Sequence, residues 1–521
     1  MCVFMSPVSS PSPELSGRSP LFEVWSIAWP TVLTMTSYTV MQFVDKLMVA
    51  QVGATELAAQ GNGGMWAFTP IAFAMGVLTV VNTYVSQNLG AGRPERGPQY
   101  AWAAIWLSLM IWLVVLIPWA LTLPWFFSLD FLGHSEELQR METGYGQILL
   151  AGAAIMMAGR GIHHFYFGLH RPKVVTISAI CGNIVNVLAN YALIFGSAGI
   201  PALGLPGVPF MPALGVYGAA IGTVLGTLVE FAIPMAIFLS RGMQSELKSR
   251  DAWRPRWKPM RELITLGSPA AMQFGNEIIC WTIFMTVLVG TFGELHLAAG
   301  WAALSYMHLS FMPALGFSVA VNSLVGKYIG AGQPDVAAAR ARLGLKLALS
   351  YMTVCALGFF FFRHQLISIF AGGANLSPED AEKMVSIGAK LMICAAFFQT
   401  ADAFGVVYSG ALRGAGDTLW PSIVTVVYSW LFIVLGGFMI ITFWPELESV
   451  GPWIAAAVYI TIYGITMTWR FESGRWRSIR LLDTETTHTA GPITGIAPAT
   501  QADQSIRDLP ESEAAAHTPR P

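Results

Sequence analysis

Charge is scarce in this chain: only 11% of its 521 residues are Asp, Glu, Lys or Arg, against about 25% in a soluble domain. With 54% hydrophobic residues and a mean hydropathy of +0.56, that scarcity excludes a water-soluble globule and points to lipid. The 29 basic and 30 acidic residues leave no positive surplus for a phosphate backbone, which excludes nucleic-acid binding as a main role. Cysteine is equally sparse. Cys2, Cys181, Cys280, Cys355 and Cys394 stand mostly inside apolar runs and never at metal-ligand spacing, excluding a disulfide framework or a zinc cluster. Neither a metal nor a resident cofactor is expected.

What is present is a series of apolar runs, each long enough for a hydrocarbon core about 30 Å thick. Twelve can be counted between Leu21 and Arg470, near 22–48, 64–87, 100–125, 144–168, 175–198, 214–240, 263–290, 299–325, 343–361, 385–411, 419–443 and 453–470. Continuous rather than alternating apolar character excludes a membrane β-barrel, whose strands face lipid and lumen by turns. The fold class is therefore all-α integral membrane. The Ser- and Pro-rich residues 1–20 precede an apolar stretch too long for a signal-peptide core, so no cleaved signal is expected. After Arg480 the composition changes to Thr, Ala, Pro, Gln and Asp, and the tail, 471–521, is expected to be disordered.

Bases separate sharply between alternate connections. One set, including Arg93, Arg96, Arg171, Lys173, the run from Arg241 to Arg261, Arg413 and Arg470, holds nineteen Lys or Arg, whereas the other holds Arg140, Arg363 and Lys383. Retention of basic loops on the inner side puts both termini in the cytoplasm of a plasma (inner) membrane protein. The longest basic connection, 241–262, divides an N-terminal lobe, 21–240, from a C-terminal lobe, 263–470. An offset of 240 confirms the division, with nine identities in the 21 positions from 74 to 94, among them Gly76/Gly316, Asn82/Asn322 and the Gly-Ala-Gly-x-Pro blocks ending at Pro94 and Pro334. Two six-helix repeats entering the membrane in the same sense are related by a pseudo-twofold axis along its normal, which is transporter architecture. The glycine blocks lack the Lys-Ser or Lys-Thr of a phosphate loop and read as tight turns.

Ionisable groups deep in the runs carry the functional signal, since each charged one costs about 3 kcal/mol to insert. Gln273, Glu277 and Trp281 recur every fourth residue with Asn276 beside them. A carboxyl there holds a proton until water or a cation arrives; alternatively it simply bonds a neighbouring helix. Asp402 follows Gln399 in a locally polar stretch. Tyr38, Gln42 and Asp45 share a helical face, while Lys46 points aside, either to snorkel to headgroups or to pair locally with Asp45. Glu230 stands alone between Val229 and Phe231 and suggests a structural role or none that can be named. Pro30 and Pro269, at matching points of the first and seventh helices, permit bending, or are inherited kinks without motion. Adjacent His163 and His164 diverge too far to share a metal.

Several separate motifs resemble the multidrug and toxic compound extrusion (MATE) family, in its NorM-like branch. They are Phe43-Val44-Asp45, the segment Val85 to Gly92, Asn186 to Gly196, Leu214 to Ala220 and Gly410 to Thr418, and the resemblance spans roughly 21 to 470. It implies two lobes rocking about a central cavity, exporting an organic, often cationic, compound against inward protons or sodium, without enzymatic chemistry. It also implies cation coupling at Asp45, Glu277 and Asp402. Lys46 departs from the family pattern, as does the short Leu169-His170-Arg171-Pro172-Lys173 turn. Under the 240 offset these carboxylates are not duplicated, so Glu277 and Asp402 are expected to form the main cation site while Asp45 tunes the other lobe. A monomer is expected. A lipid-linked saccharide flippase of the same superfamily is the nearest rival, and would favour basic cavity residues. A membrane-embedded transferase, with Arg160, His163 and His164 as its candidates, is more distant.

Overall fold

A backbone amide in hydrocarbon finds no water to bond, so an apolar run closes its hydrogen bonds within itself as a helix. The computed structural model describes residues 19–129, 134–200, 206–373 and 377–482. Its first long helix is α1, Pro20–Ala50. There follow α2 (Thr55–Gly90), α3 (Pro94–Phe127), α4 (Glu136–Gly168), α5 (Pro172–Ala198), α6 (Gly215–Phe238), α7 (Trp257–Phe292), α8 (Glu294–Gly330), α9 (Pro334–Phe361), α10 (Pro378–Ala415), α11 (Leu419–Phe443) and α12 (Val450–Glu472). The eleven from α2 onward are long and apolar enough to cross a bilayer. Helix α1, at 31 residues, also has the length, but Thr31, Thr34, Thr36, Ser37, Tyr38 and Thr39 dilute its hydropathy. Those hydroxyls bond inside the bundle: Thr31 to the Gly316 carbonyl at 3.0 Å and Thr34 to Thr176 at 3.0 Å.

Most helices overrun their apolar runs. Helix α10 begins at Pro378 rather than 385 because Ser377 caps it, its hydroxyl accepting from the Asp380 amide at 3.2 Å. The connection expected over 241–262 is shorter, since Arg241–Leu247 is itself helical and α7 already starts at Trp257, with Met260 and Leu263 buried. Likewise the chain stays packed beyond 470: α12 runs to Glu472, and Trp476 stacks on Phe471 with ring centroids 5.1 Å apart. Expectations for residues 1–18 and 483–521 lie outside the described residues.

The helices of the two halves pack in the same pattern. Helix α4 lies on α2 and α6, as α10 lies on α8 and α12. Helix α1 packs on α5 of its own half and α8 of the other, and α7 packs on α11 and α2. The halves meet toward the end of the bundle that carries the basic connections. There a Cβ at Gly90 would overlap the Lys327 carbonyl oxygen, and one at Gly330 would overlap the Gln87 carbonyl oxygen, so the two helices cross at backbone contact through paired glycines. Gln87 Nε2 donates to the Gly414 carbonyl at 3.0 Å, Thr83 donates to the Arg413 carbonyl at 2.9 Å, and Ser323 donates to the Phe167 carbonyl at 2.6 Å.

Two acids at the starts of α1 and α7 complete this junction. Glu23 reaches across to Arg340 Nε at 2.7 Å and Lys327 Nζ at 3.5 Å, and accepts from the Tyr328 hydroxyl at 2.6 Å. Glu262 reaches back the other way, accepting from the Tyr100 hydroxyl at 2.8 Å. A methyl group at the glycine crossing should therefore force the halves apart at this end. Gly90→Ala or Gly330→Ala is expected to destabilise the closed junction by about 1–3 kcal/mol. Spin labels at exposed Glu95 and Gln333 should show a longer separation in either variant, with Gly92→Ala, whose added Cβ meets open space, as the control for local backbone strain.

Candidate functional site

Hydrogen-bonding groups gather in each half where the helices approach one another. In the first half the centre is Asp45, buried on α1 with 7% of its surface exposed. Asn190 on α5 donates its Nδ2 to Asp45 Oδ1 at 2.7 Å, and Asn186 stands one turn earlier on the same helix. Tyr145 on α4 lies within electrostatic reach of Asp45. Around this carboxyl, Gln60 Oε1, Asn190 Oδ1 and Asn186 Nδ2 are buried without a protein partner. A carboxylate with amide oxygens beside it suits a proton or a hard monovalent cation, both of which take oxygen ligands. Lys46 turns away from this group: it is exposed and lies in the field of His308 on α8.

In the second half Glu277 of α7 and Asp402 of α10 are neighbours within electrostatic reach, and Glu277 also interacts with Gln273 and Arg413. Gln273 donates its Nε2 to the Tyr463 hydroxyl at 3.4 Å, and the rings of Tyr459 and Tyr463 stack with centroids 5.9 Å apart, both in the field of Glu277. Among the described residues none of Asp45, Glu277 and Asp402 forms an ion pair with a base. None of the three carboxyls is thus tied to a base by an ion pair. Helices α7 and α11 each carry a π-helical stretch here, Phe284–Val289 and Ser429–Leu435, a local widening that is frequent at functional sites.

Other residues singled out from the sequence have different partners. Asn276 ties α7 to α11, donating to Ser429 Oγ at 2.8 Å and accepting from Trp430 Nε1 at 2.8 Å. Gln399 is buried and donates to Ser310 Oγ at 2.5 Å, against Met352 Sδ at 3.2 Å, tying α10 to α8 and α9. Trp281 packs edge-on against Phe284 at 5.2 Å. Gln42 is exposed, whereas Tyr38 is buried and donates its hydroxyl to Glu230. Pro30 and Pro269 both stand inside continuous helices, and the Pro30 carbonyl accepts from Thr34 at 2.8 Å and Thr176 at 2.9 Å. No cluster of three or more His, Cys, Asp or Glu among the described residues has metal-binding geometry.

Sequence reasoning missed the Asn186–Asn190 pair as the partner of Asp45, although the four-residue spacing of two amides on one apolar helix was the available signal. It also missed the interior cations Arg160 and Arg413, because each was set aside with a nearby turn or histidine pair.

The MatE family model matches residues 30–192 and 270–439, well over half of the chain. The chain belongs to the MatE family. It is similar to the probable multidrug resistance protein NorM of Burkholderia pseudomallei, 28% identical over 471 residues that make up 90% of this chain and 95% of the relative. It is also similar to the multidrug resistance protein MdtK of Yersinia pseudotuberculosis, 26% identical over 454 residues, 87% of this chain and 94% of that one. Among solved structures, a MATE protein crystallised in complex with MaL6 superposes with a TM-score of 0.78 at 19% identity, covering 89% of this chain and 99% of its own. The fold is thus the twelve-helix, two-repeat MATE architecture of a multi-pass membrane protein.

In this MatE chain the Asn190 bond should be measurable by itself. Asn190→Ala is expected to cost about 2 kcal/mol, the usual worth of a hydrogen bond to a charged group. The check is a lowered unfolding temperature of the detergent-solubilised protein, with exposed Gln333→Ala unchanged.

Proposed function

We propose that the protein is a secondary multidrug exporter that exchanges organic, often cationic, compounds for protons or sodium ions entering the cell. It acts in the plasma (inner) membrane with both termini cytoplasmic, by transport rather than by covalent chemistry, and as a monomer. The observation that carries this reading is the pair Glu277 and Asp402, within electrostatic reach of each other in the interior and without a direct ion pair to a base. Two acids so placed bind a cation from whichever side the interior faces, and a positive substrate competes for the same negative charge.

The closed junction at the basic end supports alternation between two openings. With that end cytoplasmic, the halves are joined on the inner side, which suits a state closed to the cell interior. Loading the carboxylates weakens the hold on the substrate; releasing the cation inside restores it. Each positive charge crossing 100 mV supplies about 2.3 kcal/mol, roughly fiftyfold in accumulation, so one or two charges per cycle are enough.

Glu277→Gln and Asp402→Asn should each reduce gradient-driven efflux from proteoliposomes at least tenfold while leaving the protein monodisperse. Imposing pH and sodium gradients one at a time identifies the driving ion. Undiminished efflux in both variants would remove these residues from the coupling step.

A further inference from the structure

The two halves touch at one end of the bundle, and the helix faces that make this contact emerge exposed beyond it. On α1, Thr31 meets α8 at the Gly316 carbonyl. Gln42 and Lys46 fall within about 60° of Thr31 around the helix, yet both are exposed. On α8, Trp301, Ser305 and Leu309 fall within about 60° of Gly316, and all three are exposed. On α2, Ala58, Gly61 and Met65 fall within about 60° of Gly76, which packs on Ala271 of the other half. They too are exposed, and a Cβ at Gly61 would meet open space. Three faces that close the bundle at one end thus line a cleft at the other.

Lys46 stands on the cleft side of α1. The lipid-facing stripe of that helix, marked by exposed Trp25, Trp29, Val40 and Leu47, points about 100° away. Side chains tilt toward the start of their helix, so the Lys46 stem leans into the cleft rather than out to its rim. There it lies in the field of His308, exposed on α8 about 20 Å along that helix from Glu294. Neither side chain has a hydrogen-bond or ion-pair partner among the described residues. A lysine that serves the fold is matched by a carboxylate, as Lys327 is by Glu23 at 3.5 Å. Asp45, next in sequence, is turned into its own half and accepts from Asn190.

We propose that Lys46 of one half and His308 of the other form a carboxylate-binding subsite in this cleft, which selects zwitterionic compounds carrying a carboxylate on an apolar ring system. The ammonium supplies a positive charge with its donors, and the imidazole supplies a ring N–H. Exposed Met65, Trp301 and Leu309 supply apolar wall for the body of the molecule. Glu277 and Asp402 draw its positive end, so the two ends are sorted by charge. Because Lys46 and His308 belong to different halves, any rocking of the halves changes their separation and with it the hold on the carboxylate. The subsite thus binds one state of the exporter better than the other, which is what a transported compound requires.

This proposal rests on the exporter reading, for which it names a substrate class, and the test separates the two. The full chain in nonionic detergent is titrated by fluorescence polarisation against tetramethylrhodamine, a zwitterion with a free carboxylate, and against its methyl ester, the same rings without that charge. Lys46→Gln should weaken binding of the free acid about tenfold, the scale of one lost charge-assisted hydrogen bond, while the ester binds at least as tightly as before. Lys46→Arg should restore the free acid, and His308→Ala should weaken it by a smaller factor, about threefold. Size-exclusion profiles and ester binding report on folding in each variant. Overturning results would be no binding of the free acid to wild type, an equal change for both dyes in Lys46→Gln, or no change for either. Gradient-driven efflux of the ester from proteoliposomes would then leave the exporter standing without this subsite. Charge-selective binding with neither dye moved by any gradient would keep the subsite and remove the exporter.

Discussion

A charge inside a helix bundle in hydrocarbon has only other side chains to solvate it, and that constraint arranges this molecule. The buried pairs of Arg or Lys with a carboxylate stand at the end with most of the bases, where Glu23 meets Arg340 and Lys327, and Asp417 meets Arg470 at 2.8 Å. Such pairs hold helices together but exchange nothing, because each charge is already balanced. Asp45 and Glu277 lack such partners, and amides stand beside them instead: Asn190 beside Asp45, Gln273 beside Glu277. An amide satisfies a carboxyl without committing its charge. Placement of bases thus separates the parts that close the protein from the parts that can work.

Closing and working are also divided by residue size. Gly90 and Gly330 allow the two halves to touch through their backbones, and Gly76 and Gly316 do the same where α2 meets α7 and α8 meets α1. Without hydrophobic pressure between helices in lipid, close backbone approach is a principal source of attraction. It gives a contact that is broad, weakly directional and dependent on no single side chain, suited to an interface that must open and reform.

The fold was largely legible because hydropathy and the duplicated glycine block report backbone needs, and these are written into every residue of a span. Helix α1 was legible in spite of its hydroxyls, since Thr31 and Thr34 satisfy themselves inside the bundle rather than toward water. The site was legible only in its acids. Glu277 and Asp402 announced themselves as charges in apolar runs, but Asn190 is uncharged, and its importance lies in a contact with a residue 145 positions away. Asn276 and Gln399 show the converse. Asn276, next to Glu277 in sequence, and Gln399, three residues before Asp402, looked like part of each acid's surroundings, yet both bond to adjoining helices, because steps of one and three residues turn about 100° and 60° around the helix. Glu230 was illegible for a third reason: its partner Tyr38 comes from another helix, 192 positions away.

The repeat duplicates the scaffold but not the carboxylates of the interior. If both halves held free acid pairs, two mobile cations would be bound in equivalent places and either half could release first, leaving the order of events unspecified. Asp45 bonded to Asn190 in one half and Glu277 within reach of Asp402 in the other are not equivalent arrangements, so that degeneracy is absent. A symmetric frame is thus filled with side chains that break its symmetry.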